Sequence, residues 1–574
     1  MHPPSDMSPE AEPQGTRSET TSTANASGEN AYAELQDLLQ SHEQRRRLYP
    51  RAVLVGVLAG GLAVAFQWSL AGGEALRHRM ILWTYQHPQW GWLLPMLVSA
   101  VGAGLAIWMV RHIAPEASGS GIPHLEAVVL RLRSMAWRRI LPVKFIGGML
   151  AIGSGLGLGR EGPTVQMGGA VGEALSQWLN VSPRQRQTLV AAGGGAGLAA
   201  AFNAPLAGLV FVLEEIQRDF TPHVFGAAFV AAVTADVVTR SLTGQLAVFH
   251  VPAYSTPPLV ALPAFLILGV LGGVLGVAFN RGLLGTLDLY ARWGEWLSRY
   301  KGWPTKLSIG LVGAVVGLLG WFLPAAVGSG HQLAEAVLEG GIGLSVIPLW
   351  FLLRFGLTLI SYGCGAPGGI FTPLLVLGSL IGLAVGEFAH LLMPEAVNHP
   401  EAFAAVGMAA YFAAIVRAPL TGIVLIVEMT NNYQQMLALL VSCFSAYLVA
   451  DALGDRPIYE ALLDRDLRRS GKAPELQGTL ILELIVQANS HFEGKRVKEL
   501  GLPPGCILVT RRQGLRETVP TANTQLEAGD RITAVIAPQA SAAIPLLWEG
   551  CESASPTPRA ANASETRNSA SHSP

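Results

Sequence analysis

Between Val53 and Gly73 the chain carries no charged side chain, and the same holds for Trp92–Val110, Leu259–Asn280 and Leu307–Leu323. Each run is close to the ~20 residues that carry a helix across a hydrocarbon core. A backbone in lipid must satisfy its own N–H and C=O groups, so runs of this kind commit the chain to helices buried in a bilayer. Only 14% of the 574 residues are charged, against about a quarter in soluble domains, which excludes a single water-soluble globule. With 39 basic and 40 acidic residues the charges nearly cancel, leaving no field that would attract nucleic acid. Cys364, Cys443, Cys506 and Cys551 lie far apart, with no CxxC pair and no histidine at ligand spacing. Neither a disulfide framework nor a metal site is indicated.

Other apolar segments, around 151–176, 190–215, 365–387 and 404–429, are cut by Gly and Pro. Interrupted helices at membrane depth persist where their backbone is buried in protein or lines a polar cavity, so these segments mark the place to look for a site. They also repeat. Ala204-Pro205-Leu206-Ala207-Gly208-Leu209-Val210 and Glu214 recur as Ala418-Pro419-Leu420-Thr421-Gly422-Ile423-Val424 and Glu428 at one constant spacing. Pro163, Gly168 and Gly172 match Pro373, Gly378 and Gly382 at a slightly shorter one. Two copies of a Gly-broken helix followed by an Ala-Pro-Leu helix imply a twofold internal repeat, which in transporters brings half-helix ends together near the midplane.

The ends differ in composition. Residues 1–48 are rich in Ser, Thr, Glu, Asn and Ala without apolar periodicity, and are expected to be a retained, unstructured lead. Arg45, Arg46, Arg47 and Arg51 directly precede the first apolar run, which puts the N-terminal end in the cytoplasm by the positive-inside rule. Arg131, Arg133, Arg138, Arg139 and Lys144 form a second cytoplasmic candidate. The membrane body is expected over 49–455, with a charged linker at 456–477 that includes the end of the last helix. A soluble α+β module follows at 478–545, its strand-like runs Leu482–Val486, Cys506–Arg511 and Ile532–Ile536 separated by turn signals, and an unstructured tail at 546–574.

Gly119-Ser120-Gly121-Ile122-Pro123, Gly159-Arg160-Glu161-Gly162-Pro163 and Gly369-Ile370-Phe371-Thr372-Pro373 share one chemistry. Proline suits the first turn of a helix, and the glycines before it leave backbone amides uncovered. Such a helix start cradles an anion with about half a unit charge and no full cation in the membrane. Several partial charges bind a halide and still release it, as conduction demands. Close helix packing is the plainer use of the same glycines. An intramembrane carboxylate is costly and by default functional, and Glu161 sits within one of these helix starts. Ionised, its carboxylate would imitate an anion and occupy such a cradle; protonated, it would lose affinity for the amides and could swing aside. Glu214 and Glu215 are consecutive, so on a helix they point about 100° apart and have different roles.

These three segments resemble the signature motifs of the CLC family of chloride channels and proton/chloride antiporters, over roughly residues 50–470, with Tyr459 in Arg456-Pro457-Ile458-Tyr459 similar to the family's pore-lining tyrosine. The resemblance implies an all-α polytopic inverted repeat with broken helices, a homodimer in the lipid bilayer, and one anion path per subunit. It implies that chloride is held by Ser120, Gly121, Arg160, Gly162, Ile370, Phe371 and Tyr459, with the Ser120 and Tyr459 hydroxyls and the Ile370 and Phe371 amides around a dehydrated ion. Glu161 is then the gate, Glu215 matches the internal proton-transfer glutamate of antiporters, and Glu214 is its neighbour on that pathway. Ser120 favours chloride. Exchange of chloride for protons, without an added cofactor or enzymatic activity, is the leading reading, and a passive chloride channel on the same scaffold is its rival. An intramembrane hydrolase using Ser120 lacks a histidine partner and a metal motif. Gly494–Val497, Leu500–Pro503, Cys506–Val509 and Leu526–Arg531 resemble the TrkA carboxy-terminal domain, implying a regulatory module that takes a small ligand or braces a dimer. The resemblance implies a bacterial inner membrane, with both ends in the cytoplasm.

Overall fold

The computed structural model describes residues 19–552 apart from 219, 246–247, 250, 252–253, 255, 300–306, 471–478 and 515. The first half of the membrane body comprises α1 (Glu19–Thr84), α2 (Leu93–His112), α3 (Ile122–Val129), α4 (Trp137–Gly153), α5 (Glu161–Trp178), α6 (Pro183–Phe202), α7 (Pro205–Phe211) with a π-turn at Val212–Ile216, and α8 (Pro222–Thr243). The second half matches it helix for helix: α9 (Leu262–Arg299), α10 (Leu307–Phe322), α11 (His331–Leu338), α12 (Ile347–Gly363), α13 (Phe371–Leu392), α14 (Ala402–Val416), α15 (Pro419–Thr430) and α16 (Met436–Ala452). Helix α17 (Ile458–Ser470) follows, within the stretch expected to be linker. Among the described residues, 6 helices are long and apolar enough to cross a membrane.

Packing repeats with the sequence. Helix α5 lies on α6 as α13 lies on α14, and α1 meets α8 as α9 meets α16. Glycines bring the backbones together: a methyl at Gly168 would meet the Gly193 carbonyl at 2.1 Å, and one at Gly378 would meet the Gly407 carbonyl at 2.4 Å. Internal glycines therefore do not cut α5 or α13, as the sequence suggested; they are helix contacts, and the true breaks are confined to the loops ahead of Glu161 and Phe371. Asn203 and Arg417, both left-handed with φ of 51° and 68°, turn the chain between α6 and α7 and between α14 and α15. Arg417 is held there by donating to the carbonyls of Ala414, Tyr447 and Asp455.

Helix α1 begins at Glu19, inside the stretch expected to lack structure, and residues 1–18 lie outside the described ones. Ala, Glu, Leu and Gln between 31 and 40 are strong helix formers, which a search for apolar periodicity passes over. The second basic cluster also divides. Arg131 donates to the Thr479 carbonyl at 3.2 Å and Arg133 pairs with Asp466 at 3.1 Å. Lys144, expected on a cytoplasmic surface, is instead fully buried in α4 and donates to the carbonyls of Ala117 and Gly119 at 3.0 and 2.7 Å.

The C-terminal module is a four-stranded antiparallel sheet of β1 (Leu480–Ile485), β2 (Cys506–Gln513), β3 (Arg516–Thr518) and β4 (Arg531–Ile536), in the order β1-β4-β2-β3. The three strands expected from the sequence fall on β1, β2 and β4. Helix α18 (Ala543–Cys551) packs Leu547 and Cys551 onto a core of Leu484, Phe492, Leu508 and Ile532. It runs into the segment expected to be tail because those side chains are apolar; residues 553–574 lie outside the described ones.

Candidate functional site

The site begins with a pair of glycines on the axis of the repeat. Gly159 donates to the Gly369 carbonyl at 2.7 Å, and Gly369 returns the bond to Gly159 at 2.8 Å. This reciprocal bridge sets the N-termini of α5 and α13 side by side, so the positive ends of two helix dipoles converge. Glu161 opens α5 and is 2% exposed. Its carboxylate reaches across to the other half, where the Thr372 hydroxyl donates to Oε1 and the Thr372 amide to Oε2 at 3.4 Å. A methyl at Gly159 would sit 2.3 Å from Oε2, which is why glycine precedes the motif. Arg160 lies to one side, its Nε 3.9 Å from Glu161 and its Nη2 bonded to the Ala201 carbonyl.

Deeper in the protein, Ser120 and Tyr459 are both buried. Neither Ser120 Oγ nor Tyr459 Oη has a hydrogen-bond partner among the described residues. Unpaired hydroxyls at this depth are costly unless a ligand accepts from them, and a halide is such an acceptor. Gly162 is pressed against Ser120, since a methyl there would meet Ser120 Oγ at 2.4 Å. Gly121, left-handed at φ +83°, caps α3, and Gly119 is tied to the loop ahead of α13 by bonds with Ala366 and Gly368. Ile370 and Phe371 are buried at the start of α13, the Phe371 ring lying against Phe412 at 4.4 Å. Ser120, Gly121, Gly162, Ile370, Phe371 and Tyr459 thus gather around the starts of α3, α5 and α13, whereas Arg160 does not reach this inner cluster.

The paired glutamates separate. Glu215 is 3% exposed within the π-turn, with the buried Glu126 of α3 close by and Arg218 3.8 Å away. Arg218 also pairs with Glu460, and both reach the surface. Glu214 points elsewhere: it accepts from the Leu420 and Thr421 amides at 3.1 and 2.7 Å and from the Thr421 hydroxyl, capping α15. Glu428, its repeat partner, caps α7 in return through the Leu206 and Ala207 amides. The geometry therefore gives Glu214 a helix-capping position rather than one beside Glu215.

Two cavities approach the cluster from different sides. One, of about 290 Å³, is lined by Gly119, Gly121, His124, Arg133, Tyr362 and Arg465. The other, of about 190 Å³, is lined by Arg160, Glu161, Thr372, Ser329 and His331. Glu161 stands at the wall of the second. Several residues escaped the sequence reading: Thr372, Glu126, Tyr362, which accepts from the Ser120 amide at 3.4 Å, and Lys144 beneath the Ser120 turn. Thr372 lay inside a quoted motif, and Glu126 was a carboxylate amid the apolar residues of α3.

Residues 102–451 match the family model described as voltage gated chloride channel, and residues 481–544 match the TrkA-C domain. The chain is 42% identical over 437 residues to the H(+)/Cl(-) exchange transporter ClcA of Vibrio parahaemolyticus, covering 75% of this chain and 92% of that one. It is 43% identical over 421 residues to ClcA of Vibrio cholerae, covering 73% and 89%. Among solved structures, a slow cyanobacterial Cl-/H+ antiporter aligns with a TM-score of 0.70 at 36% identity, covering 74% of this chain and 99% of that one.

Proposed function

The chain belongs to the voltage-gated chloride channel family, and from that premise we propose that it is a secondary transporter exchanging chloride for protons across a membrane. One observation carries the reading: the Glu161 carboxylate rests on the amide and hydroxyl of Thr372 at a helix start, the position an anion would take, at the wall of one cavity. When ionised it competes with chloride for those donors; when it takes a proton it loses that affinity and yields the place. Each protonation then admits an anion, and each anion displaced returns a carboxylate able to accept a proton. Ser120 and Tyr459 hydroxyls, with the Ile370 and Phe371 amides, hold the central chloride, while Gly121 and Gly162 admit the close approach. Arg160 supplies positive charge in the cavity beside Glu161.

Glu215 supplies the other end of the proton route. It forms a carboxyl pair with Glu126 and connects to solvent through Arg218 and Glu460, whereas Glu214 acts as a helix cap. A passive channel has no use for a buried carboxyl pair off the anion path, and this favours exchange over the channel reading. We further propose a homodimer in a bacterial inner membrane, with the module and both ends cytoplasmic, and no role for nucleic acid. The module, anchored through Arg131 to Thr479 beside the C-terminal end of α3, is positioned for regulation by a small ligand. The test is transport by purified protein in liposomes: an imposed chloride gradient should drive protons uphill. Chloride flux with no proton movement would make the protein a channel.

A further inference from the structure

The Gly-Ser-Gly turn that carries Ser120 has an unassigned copy. Pro115, Ala117, Gly119, Ser120 and Gly121 recur as Pro324, Ala326, Gly328, Ser329 and Gly330 at one constant spacing. Backbone conformation recurs with them: Gly119 and Gly121 have φ of +58° and +83°, Gly328 and Gly330 have +79° and +86°. Each second glycine caps an 8-residue helix, α3 or α11. Behind each turn lies a fully buried cation on the following helix. Lys144 donates to the carbonyls of Ala117 and Gly119, and Arg354 donates to the matching carbonyls of Ala326 and Gly328, both at 2.9 Å, and to that of Ser329 at 2.7 Å.

Arg354 is 0% exposed, its Nε has no hydrogen-bond partner, and among the described residues no carboxylate pairs with it. A buried guanidinium without a counter-charge is strongly unfavourable, and the fold supplies only neutral carbonyls here. Because a trans peptide sets N–H opposite C=O, carbonyls turned toward Arg354 turn the amides of Ser329 and Gly330 away from it. Ser329 and His331 line the cavity that also holds Arg160 and Glu161. Glu74 borders it too, while the His331 ring lies against Phe249 at 4.8 Å with Glu335 3.6 Å away.

We propose that the turn Gly328-Ser329-Gly330, with Arg354 behind it and Arg160 across the cavity, binds a second halide-sized anion on the far side of Glu161 from the Ser120 site. The proposal rests on the exchange reading above and extends it. While Glu161 occupies the gate, an anion arriving through this cavity waits at Ser329; when the carboxyl takes a proton and leaves, the waiting anion moves inward. The buried cation and the amides of one turn thus serve each half, so anions queue on both sides of a single gate.

Anomalous scattering from crystals of the full chain grown in bromide tests this directly. Peaks beside both Ser120 and Ser329 are expected. A peak at Ser120 alone overturns the second site and leaves exchange intact, while no peak at either overturns both. Flux measurements supply an independent arm. Ser329→Asp, which sets a carboxylate among those amides, should raise the half-saturating chloride concentration on the Glu161-cavity side by about tenfold, and Ser329→Ala, which preserves the turn, by about threefold. The opposite side should keep its wild-type value. Equal changes on both sides, or none in either variant, contradict the proposal.

Discussion

Helix α5 opens with Glu161, and α13, its partner in the repeat, opens with Phe371 at the matching position. The same contrast appears further along: Glu214 is matched by Glu428, but Glu215 is matched by Met429. Among the features that the halves share, the glycine contacts, the left-handed turns and the reciprocal caps from Glu214 and Glu428 are scaffold. Both carboxylates assigned to proton transfer occur in the first half alone. A symmetric frame brings opposed helix starts together, and in the proposed mechanism the two departures from symmetry are what convert an anion path into an exchanger.

That comparison can be broken at graded levels. Glu161→Gln should lower proton transport at least about 100-fold while chloride still passes, the scale expected when a proton-transfer group is lost. Retained coupling in that variant would remove the gate. Glu215→Gln should lower proton flux about tenfold or more with chloride flux kept, read from the same paired recordings. Next come the bridging glycines. Gly159→Ala puts a methyl on the Glu161 carboxylate, whereas Gly369→Ala meets backbone, the Gly162 nitrogen at 3.0 Å and the Gly159 carbonyl at 3.4 Å, and not the carboxylate. Proton-to-chloride stoichiometry should shift in the first and move less in the second; equal shifts would deny that Glu161 makes this site asymmetric. The smallest effect belongs to the caps. Glu214→Gln and Glu428→Gln should each cost about 1 kcal/mol of stability, as loss of a helix cap does, and lower the unfolding midpoint alike. If only Glu214→Gln uncoupled transport, Glu214 would return to the proton route.

Local features of the fold were legible because they need only neighbours in sequence: apolar runs, Gly-Pro helix starts, the Ala-Pro-Leu repeat and the strand pattern of the module. The clustering of Ser120, Glu161, Phe371 and Tyr459 was legible only through resemblance, since their spacing spans most of the chain. Apposition across the halves was not legible. Thr372 bonding Glu161 depends on a backbone pairing at Gly159 and Gly369 that no local pattern encodes. The second Gly-Ser-Gly turn was missed because His331 and Gln332 follow it where Ile122 and Pro123 follow the first, removing the proline that flagged the motif. Lys144 misled for a different reason: charge near other basic residues reads as surface, and only the carbonyls of Ala117 and Gly119 make its burial intelligible.

The central claim is that the Glu161 carboxylate and a halide compete for one position. Anomalous diffraction from the Glu161→Ala variant in bromide addresses it most directly. The account predicts an additional halide within hydrogen-bonding reach of the Thr372 amide, where the carboxylate had rested, with the Ser120 site still filled. A filled Ser120 site and no halide at Thr372 would contradict it.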